Sequence, residues 1–362
     1  MRKYNVGIIG ATGMVGQRFI TLLANHPWFN IKVLAASSRS AGKPYLEVVG
    51  SKWAMKEPMP DIVKNMIIMD ASEDIQEISD QVDFVFCAVN MPKDEVKKLE
   101  EAYAKAECPV MSNNSANRFT DDVPMIIPEI NADHSQIIPF QKKRLGTKRG
   151  FIAVKSNCSL QSYVPAVNAF MKFGVSKVLA CTYQAISGAG KTFETWPDMV
   201  DNIIPYIGGE EEKSEREPMK IWGAVKDGKI QLTNTPGITS QCIRVPVSDG
   251  HTAAVFVSFK DSCPDIQTLI DELESYQGEA QKLNLPSAPK QFLHYFTEDD
   301  RPQIKSERNL ENGMAVSVGR LRKDSQYDIK FVCMSHNTLR GAAGGAVLMA
   351  ELLCKQGYID KK

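Results

Sequence analysis

Short apolar runs alternate with amphipathic stretches in the N-terminal third of the chain. Met14–Asn25 has apolar residues on one helical face, and Pro92–Lys105 begins with a proline suited to a first turn and has the charge pattern of a solvated helix. The runs between them have the length and β-branched content of buried strands, and they occupy Val6–Gly10, Ile31–Ala36, Met66–Met69 and Phe84–Val89. Alternation of this kind predicts a parallel, doubly wound sheet.

The pattern changes after about Gly150. Strand-like runs become longer and more closely spaced, at Val178–Ser187, Thr252–Phe259, Met314–Leu321 and Tyr327–Met334. Only Pro264–Tyr276 reads as an amphipathic helix among them, which predicts an α+β domain with a mixed sheet. A final helix, Arg340–Gln356, begins with glycine and alanine, which permit close backbone approach. We expect one domain from 1–157 with 337–362, and a second from 158–336.

Composition narrows the function classes. The 362 residues have zero formal net charge, so nothing global favours nucleic acid or an anionic membrane. The basic run at Lys142–Arg144 has no interleaved aromatic residues and reads as a solvated loop. Eight cysteines lie outside any C-x-x-C pair and no histidine has metal-ligand spacing near them, so no metal site is expected. Unpaired thiols and the lack of a secretory or membrane-spanning apolar run predict a cytoplasmic protein.

A glycine-rich turn joins the first predicted strand to the first predicted helix. It reads Gly10-Ala-Thr12-Gly13-Met14-Val15-Gly16. Glycine permits a tight turn, close approach of a pyrophosphate and close helix–strand packing, and the helix N-terminus attracts phosphate. The turn therefore predicts a Rossmann-type dinucleotide site rather than a purely structural turn, although its G-x-x-G-x-x-G spacing is the less common one.

The end of the second predicted strand decides between NAD and NADP. An NAD site usually has an acidic residue there, which accepts a hydrogen bond from the ribose hydroxyl. Here Ser37, Ser38 and Arg39 occupy the position, and these side chains suit a 2′-phosphate. We predict NADP, the alternative being that Arg39 is merely a surface side chain.

Two residues further along are candidates for covalent catalysis. Cys158 lies between a predicted strand (Phe151–Lys155) and an amphipathic helix (Leu160–Phe173), where the helix dipole would stabilise a thiolate. His251 lies at the start of a predicted strand. Taken singly, each is more often structural, as a buried cysteine or a strand-end histidine.

Read together, the motifs of nearly the whole chain resemble those of the aspartate-semialdehyde dehydrogenase family, in its archaeal and fungal branch. The matching motifs are Gly-Ala-Thr-Gly at 10–13, Asn-Cys at 157–158, Gln-Ala-Ile-Ser-Gly-Ala-Gly at 184–190, Glu-Glu-Glu-Lys at 210–213, Arg-Val-Pro-Val-x-x-Gly-His at 244–251 and Arg-Gly-Ala-Ala-Gly-Gly at 340–345. Leu160 and Gln161, which follow Cys158-Ser159, depart from the family's smaller residues.

The resemblance implies a reversible, NADP-dependent reductive dephosphorylation of L-aspartyl 4-phosphate to L-aspartate 4-semialdehyde, on the route to lysine, threonine, methionine and isoleucine. Cys158 would be the nucleophile that forms a thioacyl intermediate, and His251 its acid/base partner. Ser187, Gly188 and Asn337 would contact the cofactor. The resemblance also implies a homodimer or homotetramer.

The same resemblance assigns the substrate contacts. Arg244 would bind the α-carboxylate and Glu210 the α-ammonium, because the two substrate groups have opposite charges. Arg118 and Lys213 would bind phosphate. Gln184 would position the acyl chain, and Asn157 would hold the oxyanion or the phosphate.

Other functions on this scaffold are weaker interpretations. A malonyl-coenzyme A reductase or an N-acetylglutamyl-phosphate reductase has no free substrate ammonium for Glu210 to bind. A glyceraldehyde-3-phosphate dehydrogenase uses a cysteine and a histidine but does not share these motifs. An inactive NADP-sensing regulator would need neither Cys158 nor His251.

Overall fold

The computed structural model describes residues 2–362, and the first part of the chain forms a six-stranded parallel sheet. Its strands are β1 Tyr4–Ile9, β2 Phe29–Ala36, β3 Met69–Asp70, β4 Phe84–Cys87, β5 Val110–Ser112 and β6 Ile152–Val154. They lie side by side in the order β3-β2-β1-β4-β5-β6. The order reverses at β1, so this is a doubly wound, Rossmann-type sheet, as the sequence predicted.

Helices connect these strands. They are α1 Met14–Leu23, α2 Tyr45–Val49, α3 Asp61–Lys64, α4 Ile75–Gln81, α5 Lys93–Lys105 and α6 Ile138–Leu145. All four residues of β4 are buried, as expected for a central strand that is covered on both faces.

A second six-stranded sheet follows, together with a separate two-stranded hairpin. The strands are β7 Val175–Gln184, β8 Ala224–Lys226, β9 Lys229–Gln231, β10 Gly237–Arg244, β11 His251–Phe259, β12 Leu293–Phe296, β13 Val316–Lys323 and β14 Ile329–Ser335. The order is β10-β7-β11-β14-β13-β12, and β8 pairs only with β9. Parallel pairs flank antiparallel ones, which confirms the predicted mixed sheet. Along β11, buried residues alternate with partly exposed ones, so one face of the sheet is covered.

The remaining helices divide between the two sheets. They are α7 Leu160–Phe170, α8 Glu210–Ile221, α9 Ile266–Ser275, α10 Glu279–Lys282, α11 Ile304–Glu307 and α12 Gly344–Lys355. α7 and α9 pack against the second sheet, whereas α12 packs against β5 and α1 of the first unit. A π-helical turn, Leu339–Ala343, leads into α12.

Several predicted boundaries were wrong. The third strand is Met69–Asp70 rather than Met66–Met69, because Ile67 makes only an isolated bridge to Pro44. The strand predicted to reach Ser187 ends at Gln184, and a 3₁₀ turn follows it. The first helix stops at Leu23, earlier than Asn25.

Among residues 2–362, no helix combines the length and apolar character needed to cross a bilayer.

Candidate active site

Cys158 and His251 lie next to each other. Cys158 lies between β6 and α7, two residues before the helix begins, and His251 is the first residue of β11. The Cys158 Sγ and His251 Nε2 atoms are 3.4 Å apart. The sequence predicted this pairing, and the mixed sheet explains it. β7 and β10 are parallel and β11 is antiparallel to β7. The last residues of β7 and β10, Gln184 and Arg244, therefore lie at the same end of the strands as His251, the first residue of β11.

The protonation of His251 follows from its surroundings. The backbone N–H of Ala185 donates to Nδ1 over 3.0 Å, so Nδ1 acts as an acceptor and the ring proton lies on Nε2, facing Cys158. Burial, and next the Arg244 guanidinium, lower the pKa of His251 to about 3. The imidazole is therefore neutral near pH 7 and is a hydrogen-bond donor to the sulfur.

Charged neighbours act on the thiol in opposite directions. Burial raises the pKa of Cys158, and the Glu210 carboxylate adds to that rise. Lys155, then Arg118 and Arg244, oppose it. Formation of the thiolate therefore depends on which of these charges is compensated by other partners.

Glu210, in the first turn of α8, is the centre of a cluster of polar and charged side chains. Both of its oxygens accept from the Asn157 side-chain amide at 3.0 Å, and Lys213 donates to one of them over 2.7 Å. The Gln184 amide lies 3.4 Å away. The structure thus brings four of the predicted substrate residues into one cluster: Asn157, Gln184, Glu210 and Lys213.

Arg244 lies at the end of β10 and is one of the cations that act on the Cys158 thiol. Its Nη1 donates to the Ala185 carbonyl over 2.7 Å and its side chain is buried. Gly188 permits this placement, because an added Cβ there would lie 2.9 Å from Arg244 Nη1 and 3.2 Å from a carbon of the His251 ring. A guanidinium and a carboxylate therefore both act on Cys158, as a zwitterionic amino-acid substrate requires.

Arg118 is more constrained than the sequence suggested. It is buried, and its guanidinium donates to Glu217 over 2.8 Å, to the Lys155 carbonyl and to the Asn113 carbonyl. Glu217 also accepts the Asn157 backbone N–H. Arg118 therefore fixes the segment that carries the cysteine, and only its remaining N–H groups are free for a ligand.

Asn337 connects three parts of the site. Its Oδ1 accepts from the Gly250 N–H over 2.8 Å, and its Nδ2 donates to the Ser187 hydroxyl over 2.9 Å. It thereby holds the residue before His251 and the turn that carries Gly188.

The glycine-rich turn fits a dinucleotide. At Gly10, φ is +89° and an added Cβ would lie 2.5 Å from the Ala88 carbonyl oxygen. An added Cβ at Gly16 would lie 2.3 Å from the Gly10 carbonyl oxygen, whereas one at Gly13 meets nothing within 3.5 Å. Gly10 and Gly16 therefore serve the turn and the packing, and the open backbone at Gly13 leaves room for a phosphate at the start of α1.

Two neighbouring clefts share the predicted cofactor residues. A cleft of about 500 Å³ is lined by Gly10, Thr12, Gly13, Ser37, Ser38 and Arg39, and the last three are exposed. A second cleft, of about 480 Å³, is lined by Met14, Ser187 and His336 among others. Val15 instead packs against the core, and Gly16 is buried under the turn.

Sequence reasoning missed several buried polar residues. Glu217, Lys155, His336 and the ion pair between Arg340 and Glu129 were not predicted. Glu217 follows Lys213 by one helical turn, so its side of α8 was readable from the sequence. The Arg340–Glu129 pair joins residues far apart in the chain, and no local pattern marks it.

Comparisons with known proteins agree with this site. Residues 5–138 match the family model of the semialdehyde dehydrogenase NAD-binding domain, and residues 165–340 match that of the semialdehyde dehydrogenase dimerisation domain. The chain is 40% identical over 359 residues to an aspartate-semialdehyde dehydrogenase from Archaeoglobus fulgidus, covering 99% of this chain and 100% of the relative. Its identity to the enzyme of that name from Schizosaccharomyces pombe is 43% over 360 residues, covering 98% and 99%.

Solved structures give the same result. The crystal structure of aspartate-semialdehyde dehydrogenase with NADP from Candida albicans superposes with a TM-score of 0.88 at 36% identity, covering 99% of this chain and 100% of that one. Similarity that covers 99% of the chain includes both sheets. The chain therefore belongs to the aspartate-semialdehyde dehydrogenase family.

Proposed function

We propose that this protein catalyses the reversible, NADP-dependent reductive dephosphorylation of L-aspartyl 4-phosphate to L-aspartate 4-semialdehyde and phosphate. The observation that carries the proposal is the 3.4 Å contact between Cys158 and His251, at a sulfur on which both the Glu210 carboxylate and the Arg244 guanidinium act. The product would serve the biosynthesis of lysine, threonine, methionine and isoleucine.

Cys158 acts as the nucleophile in this proposal. Its sulfur forms a bond to the acyl carbon of aspartyl phosphate, while the bond from that carbon to the phosphate oxygen breaks. The result is a thioester on Cys158 and free phosphate. Its position two residues before α7 supports this role, because the positive end of a helix favours a thiolate.

His251 acts as a hydrogen-bond donor. Since Nδ1 is occupied by the Ala185 N–H, the proton on Nε2 points at the sulfur and at any oxygen that develops on the attached carbon. It stabilises the thiolate before attack, and the oxyanion of the tetrahedral adduct afterwards.

The two ends of the substrate bind opposite charges. Arg244 binds the α-carboxylate through the N–H groups that Ala185 does not use. Glu210 binds the α-ammonium, held in place by the Asn157 amide. Gln184 lies between them and positions the acyl chain.

Lys213 and the free N–H groups of Arg118 bind the phosphate. Lys213 lies one turn into α8 beside Glu210, and its side chain is partly exposed, so an anion can reach it. Asn157 holds the oxyanion or the phosphate. Its side chain donates to Glu210 and its backbone N–H donates to Glu217, so its position beside Cys158 is fixed.

NADPH, when bound, supplies the hydride that reduces the acyl group. We propose that Gly10, Thr12, Gly13 and Met14 hold its pyrophosphate, with Val15 and Gly16 supporting the turn. Ser37, Ser38 and Arg39 would hold the 2′-phosphate, because their polar groups are exposed at the end of β2. Ser187, Gly188 and Asn337 would hold the nicotinamide end, because they lie beside His251.

The test follows NADPH formation from aspartate semialdehyde and phosphate, comparing the wild type with Cys158→Ala. We expect phosphate-dependent activity that the substitution abolishes. Cys263→Ala is the matched control, since Cys263 lies in the loop before α9, away from the cluster, and should retain activity. Activity that survives in Cys158→Ala would refute the nucleophile. A wild type that instead oxidises NADPH only with malonyl-coenzyme A would refute the substrate.

We also propose the domain division at 157–158 and 336–337, supported by the packing of α12 on the first unit. Self-association as a homodimer or homotetramer is supported by apolar side chains that are more than half exposed between β7 and β10, namely Val200, Ile203, Tyr206 and Leu232. Eight unpaired thiols support placement in the cytoplasm.

A further inference from the structure

Lys155 is a buried lysine close to the nucleophile. It directly follows β6, three residues before Cys158, and only 2% of it is exposed. Its ammonium donates to the Ser156 carbonyl over 2.9 Å, and no carboxylate of residues 2–362 forms an ion pair with it. An ammonium has three N–H donors, and a buried charge needs compensation. Burial accordingly lowers the pKa of Lys155 to about 7.

The other charges around Lys155 already have partners. Arg118 is paired with Glu217 over 2.8 Å. Arg340 forms a two-point pair with Glu129, at 2.7 and 2.5 Å. These pairs leave neither acid available to Lys155. The ionisable neighbour that remains is Cys158, whose negative form raises the pKa of Lys155 more than any other nearby group.

Two glycines of the C-terminal segment place Lys155 beside Cys158. An added Cβ at Gly341 would lie 2.9 Å from the Cys158 Cβ, and one at Gly345 would lie 2.9 Å from the Lys155 Cε. Helical residues four apart face the same side, about 5–6 Å from each other. The lysine and the cysteine therefore rest next to each other on one helix face, which has no side chains of its own at those two points.

A second buried lysine shows how a structural one is satisfied. Lys220 is also buried, and its pKa is likewise lowered to about 7 by burial. Its ammonium donates to the carbonyls of Arg118, Thr120 and Val123 at 2.7, 2.8 and 2.7 Å, which uses all three N–H donors. Lys155 has one such bond, so its ammonium retains donors and charge for another group.

His251 does not supply that charge, because its ring is neutral and its Nδ1 is occupied. We propose that the neutral amine of Lys155 accepts the thiol proton of Cys158, and that the ammonium formed in this step is the counter-charge of the thiolate. The S–H bond of Cys158 breaks and an N–H bond of Lys155 forms, with no change in oxidation state. Lys155 is thus the proton acceptor for the nucleophile, and the inference rests on the proposed function, in which Cys158 is the nucleophile.

The test measures the pH dependence of Cys158 alkylation by iodoacetamide in the full-length protein, read by peptide mass spectrometry so that each cysteine is scored separately. Glu210, Arg118 and Arg244 also face the sulfur and stay unchanged. In Lys155→Met we expect the alkylation profile to move to higher pH by about one unit or more, with at least a roughly tenfold slower reaction at neutral pH. An unchanged profile would overturn the proposal.

Lys155→Gln separates charge from hydrogen bonding, since glutamine keeps an N–H donor for the Ser156 carbonyl. We expect its profile to match that of Lys155→Met, and a profile that matches the wild type would overturn the proposal. Lys220→Met is the control for burial of a lysine, and should lower the unfolding temperature without moving the Cys158 profile. If the Cys158 profile shifts as far in Lys220→Met as in Lys155→Met, the shift results from general destabilisation of the fold, and the proposal is overturned.

The two proposals fail in different ways. If Cys158→Ala keeps phosphate-dependent NADPH formation, the proposed function loses its nucleophile whatever the alkylation profile shows. If Cys158→Ala is inactive and Lys155→Met alkylates as the wild type does, only the role of Lys155 fails.

Discussion

The cofactor cleft and the pocket around Cys158 present their binding groups in opposite ways. In the cleft, the open backbone at Gly13 and the exposed side chains of Ser37, Ser38 and Arg39 face solvent. In the pocket, Glu210 and Arg244 are buried and hydrogen-bonded to the surrounding protein. Side chains of the cleft can therefore change with little effect on folding, whereas those of the pocket are also part of the core network.

Substitution of Arg244, in the pocket, should give the largest change in activity. In Arg244→Met, kcat/KM for aspartate semialdehyde should fall by about 10³-fold, because two charge-assisted hydrogen bonds of about 1.5–3 kcal/mol each are lost. Steady-state kinetics give the value. The same variant should lose little with 3-aminopropanal, which lacks the α-carboxylate, and an equal loss on both aldehydes would contradict the carboxylate role.

The glycines should separate folding from binding within the cleft itself. In Gly16→Ala, the added methyl group overlaps backbone atoms of Gly10 and Ala11, so the free energy of unfolding should fall by about 3 kcal/mol. Gly13→Ala has open space and should unfold like the wild type, but it should bind NADPH more weakly. Urea unfolding and fluorescence titration measure the two quantities, and equal destabilisation of both variants would contradict the division of roles.

The buried imidazole should make stability depend on pH. The pKa of His251 is about 3 when folded and about 6.5 when unfolded, so the unfolded state binds the proton first as the pH falls. Its stabilising contribution is complete above pH 6.5, and about 2 kcal/mol of it is lost by pH 5. His251→Gln should lose correspondingly less stability between pH 7 and pH 5 in urea titrations. An identical loss in both proteins would show that the imidazole is protonated when folded.

Arg39 should give the smallest effect. In Arg39→Met, kcat/KM with NADPH should fall by roughly tenfold to thirtyfold and that with NADH should stay the same, because one exposed charge-assisted contact to the 2′-phosphate is lost. The unfolding temperature should not change. A parallel loss with both cofactors would place Arg39 away from the 2′-phosphate.

Local sequence signals predicted the cleft better than the pocket. The turn at Gly10–Gly16 can be recognised from a short stretch of sequence, because the three glycines are regularly spaced and the reason for Gly16 lies in Gly10 and Ala11. Cys158 and His251 could be paired only through the family resemblance, because their proximity depends on β11 running antiparallel to β7.

Lys155 shows why the remainder was not predicted. From sequence it reads as the polar end of a buried strand, and a lysine in that position usually reaches solvent. Its burial is caused by the C-terminal segment, whose Gly345 lies against its side chain. The predicted bounds of β3 were wrong for a related reason. Ile67 is a typical strand residue by composition, but β2 pairs with Met69 and Asp70.

The position of α12 in the chain also determines when the first core can be completed during synthesis. Val347 and Leu352 share a core with Val6 and Ile8, yet they leave the ribosome after every strand of both sheets. Part of one face of the first sheet therefore stays uncovered while the second sheet already has all of its strands, and such exposed apolar surface favours aggregation and chaperone binding. The nucleotide-binding half is made first and finished last.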